Sequence, residues 1–429
     1  MADRLGNAVL AAYRLVGRAV TPILPLALSR RAARGKEDPG RISERYGTAS
    51  IERPAGRLVW VHAASVGETN AVLPLIRRLV EAGLAVVFTS VTVTSAGIAA
   101  TRLPAGAHHQ FAPIDVPSAI GRFIEHWRPE MALFVESELW PTTLSTLQNR
   151  GIPLVLVNAR LSERSFRGWQ RFGSVAHALV GRLALCLAQS PQDAERYRAL
   201  GARDVRITGN LKFDVPAPEV DPAALAAFER TTDNRPIWVA ASTHPGEESI
   251  AAGVHRTLAS RIPGLLTVIV PRHPERGAAI RSEIVAGGLS VAQRSLGELL
   301  LPVTDVYLAD TLGELGLFYR AAPVAFLGGS MVEHGGQNPI EPLRLSCTVL
   351  HGPHVHNFSD IYAAIDAVVP QAFAADAGDL AERVAELLGD REAARRQAEA
   401  LADALKPLSG ALNETMTALD PFIRKAQRA

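Results

Sequence analysis

A chain of 429 residues, 48% hydrophobic and 21% charged, exceeds what one ordinary core encloses and falls outside the disordered class, so two domains of about 200 residues each are expected. The net charge of +2 gives no global field to draw in a nucleic acid. Cys186 and Cys347 lie in separate apolar runs, which points to buried thiols in a reducing compartment, and no Cys/His cluster has zinc spacing, so no metal is expected.

Residues 5–28 are mostly apolar but carry Arg14 and Arg18 where a spanning helix has no place for charge. On a helix, Arg4, Asn7, Arg14, Arg18 and Thr21 share one narrow stripe and leave an apolar face of Val9, Tyr13, Val16, Val20, Ile23 and Leu24. Residues 1–46 hold nine Lys/Arg against four Asp/Glu, a balance suited to anionic headgroups. The segment reads as a membrane-associating amphipathic helix with a basic tail, and the alternative is a first helix packed on the protein's own core. No cleavage site follows a short apolar run, so a removed signal peptide is not expected.

Short apolar runs then alternate with helical stretches, the pattern of parallel sheets with helical crossovers. Strands are expected at 58–63, 84–89, 131–136, 154–159, 183–188 and 204–208. After the break at Pro216, Pro218 and Pro222 a second series follows, at 237–241, 265–270, 305–309, 323–327 and 347–350. The expected fold is therefore α/β: two Rossmann-like, doubly wound parallel-sheet domains facing a cleft, preceded by the amphipathic helix. The divisions are a basic N-terminal segment (1–46), a first Rossmann-like domain (47–215), a second (216–410) and a C-terminal helix (411–429) that packs back on the first domain. Open parallel sheets bind ligands beyond the carboxyl ends of their strands, and the motifs there carry the functional reading.

No P-loop and no G-x-G-x-x-G fingerprint follows a strand, so neither a P-loop nucleotidase nor a nicotinamide enzyme is supported. After the first strand comes His62-Ala-Ala-Ser65-Val-Gly67-Glu68. Gly67 would let backbone amides approach a ligand and Glu68 could take a proton from an attacking hydroxyl, yet Ser65-x-x-Glu68 equally fits a capping box. The helix N-terminus would favour the ionised carboxylate. After the third strand comes Glu136-Ser137-Glu138-Leu139-Trp140-Pro141, whose two carboxylates would face opposite sides in extended geometry, one lining the site and the other structural. Arg160, Arg164, Arg167 and Arg171 follow the next strand and read as a phosphate clamp or as a solvated helix face.

In the second domain, Ser242-Thr243-His244-Pro245-Gly246-Glu247 joins a strand to a helix and suits an anion at the helix N-terminus. The next strand ends in Pro271-Arg272-His273-Pro274-Glu275-Arg276. A later one runs into Gly328-Gly329-Ser330 and then Gly335-Gly336-Gln337-Asn338-Pro339-Ile340-Glu341, where glycines permit backbone contact with a phosphate and Glu341 could take ribose hydroxyls.

These seven motifs, with Gly209-Asn210-Leu211-Lys212-Phe213-Asp214 among them, occur in the order found in the 3-deoxy-D-manno-oct-2-ulosonic acid (Kdo) transferases of lipopolysaccharide synthesis, which the chain closely resembles over nearly its whole length. The resemblance implies an inverting, metal-independent glycosyltransferase of the two-Rossmann-domain (GT-B) type. Its donor is cytidine monophosphate-Kdo (CMP-Kdo), its acceptor the phosphorylated disaccharide lipid A precursor (lipid IVA), and its place the cytoplasmic face of a bacterial inner membrane. No cofactor beyond the donor and no nucleic acid is implied. The resemblance makes Glu68 the general base, and it gives one of Glu136 and Glu138 a catalytic part without saying which. Ser65, Gly67, Arg160, Arg164 and Lys212 would meet the acceptor. Ser242, Thr243, His244, Arg272, His273, Gly328, Gly329, Ser330, Asn338 and Glu341 would hold the nucleotide. Another GT-B transferase or epimerase would leave the basic N-terminus and the arginine cluster without a reason, and a ligand-closing binding protein would be exported. The number of Kdo residues added stays open.

Overall fold

The computed structural model describes residues 2–428, which form two compact units, one of residues 2–215 with 408–428 and one of residues 216–407.

The first unit is built on a seven-stranded parallel sheet of β1 (Leu58–His62), β2 (Ala85–Ser90), β3 (Ala107–Phe111), β4 (Met131–Val135), β5 (Leu154–Ala159), β6 (Leu185–Ala188) and β7 (Val205–Ile207), in the order β3-β2-β1-β4-β5-β6-β7. Successive side chains of a strand point to opposite faces, so Leu58 and Trp60 of β1 enter one core with Phe123 and Phe134 while Val59 and Val61 enter the other with Leu75 and Leu187. Helices cover both faces, which is why the strands read as continuous apolar runs. Strand β3, Ala-His-His-Gln-Phe, is absent from the expected series because it is a polar edge strand; its start is partly exposed and only its end is buried. The strand order reverses between β1 and β4, and that switch point is where a doubly wound sheet opens a crevice at its carboxyl edge.

The second unit has a six-stranded parallel sheet, ordered β10-β11-β9-β8-β12-β13 from β8 (Ile237–Thr243), β9 (Leu266–Pro271), β10 (Val291–Gln293), β11 (Val306–Leu308), β12 (Val324–Leu327) and β13 (Thr348–Leu350). The unexpected β10 is again a short edge strand. The switch point lies between β8 and β12.

Residues 2–46 are not a separate body. The helix Ala2–Val20 lies on the helices Gly173–Val180 and Pro141–Asn149 of the first unit. It seats Leu10 and a narrow Gly6 whose hypothetical Cβ would strike the Ser174 carbonyl. Asn7 accepts a hydrogen bond from Arg182 at 2.6 Å. Of the polar stripe, Asn7 thus reaches the first unit while Arg4 and Arg18 stay exposed, and Val9, Val16, Val20 and Ile23 of the apolar face stay 40–61% exposed. The run Arg4–Ala32 is long and apolar enough to cross a membrane, by length and composition only. Not every cation of this segment is available to headgroups. Arg31 and Arg45 pair with buried Glu37, and Arg41 pairs with buried Glu44, which also accepts the Phe111 N–H at 2.7 Å. At the other end of the chain, Asp214 accepts the Gly410 and Leu412 amides at 2.8 and 2.6 Å, and the helix Ala411–Arg428 buries Leu419, Ile423 and Ala426 in the first unit's core.

Candidate functional site

At the tip of β1 the chain turns into the helix Val66–Glu81 with Ser65 as N-cap. The Ser65 hydroxyl accepts the Glu68 N–H at 3.3 Å and donates to Glu68 Oε1 at 2.7 Å, and Glu68 Oε2 accepts the Ala64 N–H at 2.9 Å. The pair forms a variant of the capping box, in which Glu68 reaches one residue past the N-cap, to the Ala64 N–H. A carboxylate offers about four lone-pair sites, so two hydrogen bonds orient Glu68 and leave it able to take a proton. Burial pushes its carboxyl above the ordinary range; the Ser65 and Ala64 hydrogen bonds pull it down, and the charges of Glu136 and Glu138 push it further up. The helix N-terminus, expected to favour the ionised form, is outweighed by this burial. Gly67 lies in the first helical turn, and a Cβ there would meet only Ser65 Oγ, at 4.0 Å.

The tip of β4 corrects the extended geometry expected for Glu136 and Glu138. Glu136 has a left-handed backbone (φ 56°), held by its own N–H to Val157 O at 3.0 Å and by the Tyr197 hydroxyl donating to Glu136 O at 3.2 Å. Both carboxylates consequently act on Glu68. Lys212 ion-pairs with Glu136 Oε1 at 2.9 Å. Glu138 Oε2 accepts the Trp140 indole N–H at 2.6 Å and faces His62 Nε2 at 3.7 Å. Burial acts to raise Glu138, but His62 and Trp140 outweigh it and hold the carboxyl below its usual range. The helix Pro141–Asn149 has no cap of its own at Trp140; Asp115 supplies one by accepting the Thr142 and Thr143 amides at 3.0 and 2.8 Å.

At the tip of β5, Asn158 is left-handed too (φ 52°), and its Oδ1 accepts the Leu211 N–H at 2.9 Å, which fixes the short turn Leu211–Asp214 that carries Lys212. Arg160 is half-buried and Arg164 exposed, and neither has an ion-pair partner among the described residues; Arg167 is taken by Glu163 at 2.7 Å. The structure thus gathers Ser65, Glu68, Glu136, Glu138 and Lys212. Tyr197 and Asp115, which help hold these tips in place, have no sequence signal, because their partners are distant in the chain; Asn158 opens the motif that carries Arg160, but its bond to Leu211 is visible only in the fold.

In the second unit, Ser242 is left-handed (φ 55°) at the tip of β8. Thr243 donates to Glu248, which is buried and gripped by Arg276 at 2.8 and 3.2 Å. The expectation of free backbone donors at Gly329 and Ser330 is corrected by Glu247. This carboxylate has no exposed surface and accepts the amides of His244 (2.9 Å), Gly329 (2.6 Å), Ser330 (3.1 Å) and Met331 (3.0 Å), so an internal anion fills the cradle. Gly328 is required at β12's end because a Cβ would strike the backbone of Ser242 and Thr243. His244 lies ring to ring with His334 at 3.7 Å; burial first, then the charges of His334, His273, Arg272 and Arg276, bring its pKa down to about 4. Arg272 is half-buried, with no ion-pair partner among the described residues, beside the exposed His273. Asn338 donates to Glu341 at 3.4 Å. Among the described residues no group of three or more His, Cys, Asp or Glu is placed to hold a metal ion.

The profile of the 3-deoxy-D-manno-octulosonic-acid transferase (kdotransferase) family matches residues 40–215. A 3-deoxy-D-manno-octulosonic acid transferase of Bordetella pertussis is 37% identical over 429 residues, covering 96% of this chain and 99% of that protein. The chain belongs to this family. A Haemophilus influenzae Kdo transferase is 35% identical over 394 residues, covering 90% of this chain and 92% of its own. As a member of the Kdo transferase family the chain is a glycosyltransferase, and its two doubly wound sheets are those of the GT-B class. A solved glycosyltransferase from Rickettsia africae is similar in fold, with a TM-score of 0.54 at 14% identity over 87% of this chain and 99% of its own.

Proposed function

We propose that this Kdo transferase moves Kdo from CMP-Kdo, with inversion and without a metal, to a hydroxyl of the phosphorylated lipid A precursor at the cytoplasmic face of a bacterial inner membrane. The observation that carries the reading is the gathering of Glu68, Glu136 and Glu138 at the switch point of the first sheet, with Glu68 raised in basicity by burial. Glu68 takes the proton of the acceptor hydroxyl as its oxygen bonds to the anomeric carbon. The bond to the phosphate oxygen breaks through an oxocarbenium-like state, and its electron pair leaves with cytidine monophosphate. Arg272, with Ser242, Thr243, His244 and His273, receives that phosphate, the loop from Gly328 to Ser330 only shapes the wall beside it, and Asn338 and Glu341 receive the ribose. With Glu247 occupying the backbone cradle, side chains rather than free amides carry the phosphate charge. Arg160, Arg164 and Lys212 meet the acceptor's phosphates, and the exposed apolar face from Val9 to Ile23 lies in the bilayer surface.

The test is incubation of the detergent-solubilised full chain with CMP-Kdo and the lipid precursor in the presence of a chelator, followed by mass spectrometry of the lipid. The expected product carries added Kdo, and the Glu68→Gln variant gives none at matched times. A native protein that leaves the lipid unmodified overturns the reading.

A further inference from the structure

Behind the carboxylates of the first unit lies a chain of buried polar groups that the proposed chemistry does not use. The Trp60 indole N–H donates to Thr89 Oγ1 at 2.8 Å, and Thr89 Oγ1 lies 2.9 Å from His62 Nδ1. His62 has no exposed surface, its Nε2 is buried without a hydrogen-bond partner, and that nitrogen faces Glu138 Oε2 at 3.7 Å. Trp140, which donates to the same carboxylate oxygen, packs edge-on against the imidazole at 4.7 Å.

The proton positions follow from donor and acceptor counts. An indole nitrogen only donates, so Thr89 Oγ1 is the acceptor for Trp60. Thr89 has one hydroxyl hydrogen left, and its two candidate acceptors are His62 Nδ1 at 2.9 Å and Val61 O at 3.5 Å, the limit of a hydrogen bond. The nearer one takes it. A neutral imidazole whose Nδ1 accepts carries its hydrogen on Nε2. The other tautomer would aim a buried lone pair at the Glu138 carboxylate, two like partial charges in a low-dielectric site.

We infer that His62, set in its Nε2–H form by Thr89, is a positioning residue that holds Glu138 as a carboxylate beside Glu68. The inference rests on reading Glu138 as part of the transfer site and deepens that reading by separating the two carboxylates of the motif. Glu136 is ion-paired with Lys212, whereas Glu138 is faced by two ring N–H groups, those of Trp140 and His62. At 3.7 Å the two atoms are beyond hydrogen-bond distance, so His62 acts on Glu138 as an oriented N–H dipole across a short gap.

Two measurements test it. In the unmodified protein labelled with ¹⁵N-histidine, the His62 signal, assigned by its loss in His62→Gln, shows a protonated Nε2 and a bare Nδ1; the reverse pattern overturns the inference whatever the activity. In the transfer assay, Asn places its amide nearer Nδ1 and Gln nearer Nε2. His62→Gln therefore stays within about threefold of the native kcat, while His62→Asn loses about tenfold or more in kcat with KM for both substrates nearly unchanged. Equal kcat for folded Asn and Gln variants also overturns it. A native protein with no transfer at all refutes the proposed function instead, and the tautomer measurement still decides the His62 arrangement.

Discussion

Ser65 and Glu68 exchange hydrogen bonds, the serine hydroxyl accepting the glutamate's N–H at 3.3 Å and donating to its carboxylate at 2.7 Å. One pair thus starts the helix Val66–Glu81 and aims its buried carboxylate at the switch point of the first sheet. The two readings that the S-x-x-E spacing leaves open coexist, because the box consumes only part of the carboxylate's accepting capacity.

That arrangement gives a pH dependence with a definite sign. Burial lifts the Glu68 carboxyl above the ordinary glutamate range, and only the ionised form is a base. As pH falls, kcat therefore begins to drop at a higher pH than a solvent-exposed glutamate would dictate. Ser65→Ala removes a hydrogen bond that pulls the carboxyl down, so the acidic limb moves further up and the cap loses about 1 kcal/mol of stability. Glu68→Gln loses roughly 10²-fold or more in kcat at every pH. A pH–rate profile of the three proteins checks this, and an acidic limb in the Ser65→Ala variant that moves down or stays put contradicts it.

Lys212 and Glu136 are largely buried partners 2.9 Å apart, with 15% and 19% of their side chains exposed. Lys212→Met takes the cation away from the largely buried Glu136 carboxylate and costs about 1–3 kcal/mol in urea unfolding. Adding Glu136→Gln to Lys212→Met recovers part of that loss, because the buried carboxylate charge is then gone with its cation. It does not recover transfer, since Lys212 is proposed to meet the acceptor. Strictly additive stability losses would show that the pair is not coupled.

Glu247 is the most heavily used internal anion of the second unit. Its two oxygens satisfy four amides, those of His244, Gly329, Ser330 and the part-buried Met331. A glutamine in its place turns one acceptor into a donor that faces other donors. Glu247→Gln is expected to cost roughly 3 kcal/mol or more and to open the Gly328–Ser330 loop to proteolysis, whereas the exposed Glu275→Gln changes neither. Denaturant unfolding with limited proteolysis reads both, and a Glu247→Gln variant of native stability would refute the cradle as a structural anchor.

These sites also mark where the sequence stops being legible. Central strands such as β1 and β4 announce themselves as apolar runs because both faces of the sheet are covered, while β3 and β10, at the edges, mix polar residues and short length. Ser65-x-x-Glu68 is readable because cap and carboxylate lie three residues apart. The left-handed backbones of Glu136 and Ser242 are not, because tertiary contacts impose them against the residues' own preference, and Tyr197 reaches Glu136 from 61 residues away. The Gly329–Ser330 loop looks like a phosphate cradle, and only the folded chain brings in a carboxylate from 82–84 residues earlier to fill it.

The first helix makes the last prediction, because it divides its surface between two partners. Gly6 and Leu10 meet the first unit, and the hypothetical Cβ at Gly6 would strike the Ser174 carbonyl, so Gly6→Val pushes the helix off its seat. Val16 and Ile23 point away, 59% and 61% exposed, with Arg4 and Arg18 exposed nearby along the helix. If this face lies in the bilayer surface, each aliphatic side chain contributes roughly 1.5 kcal/mol of partitioning. Val16→Asp with Ile23→Asp then weakens binding to anionic phospholipid vesicles by at least about tenfold and leaves the melting temperature unchanged. Gly6→Val does the opposite, lowering the melting temperature while keeping the apolar face intact. Co-sedimentation with vesicles and circular-dichroism melting separate the two effects, and vesicle binding that survives the paired aspartates would remove this face as the membrane contact.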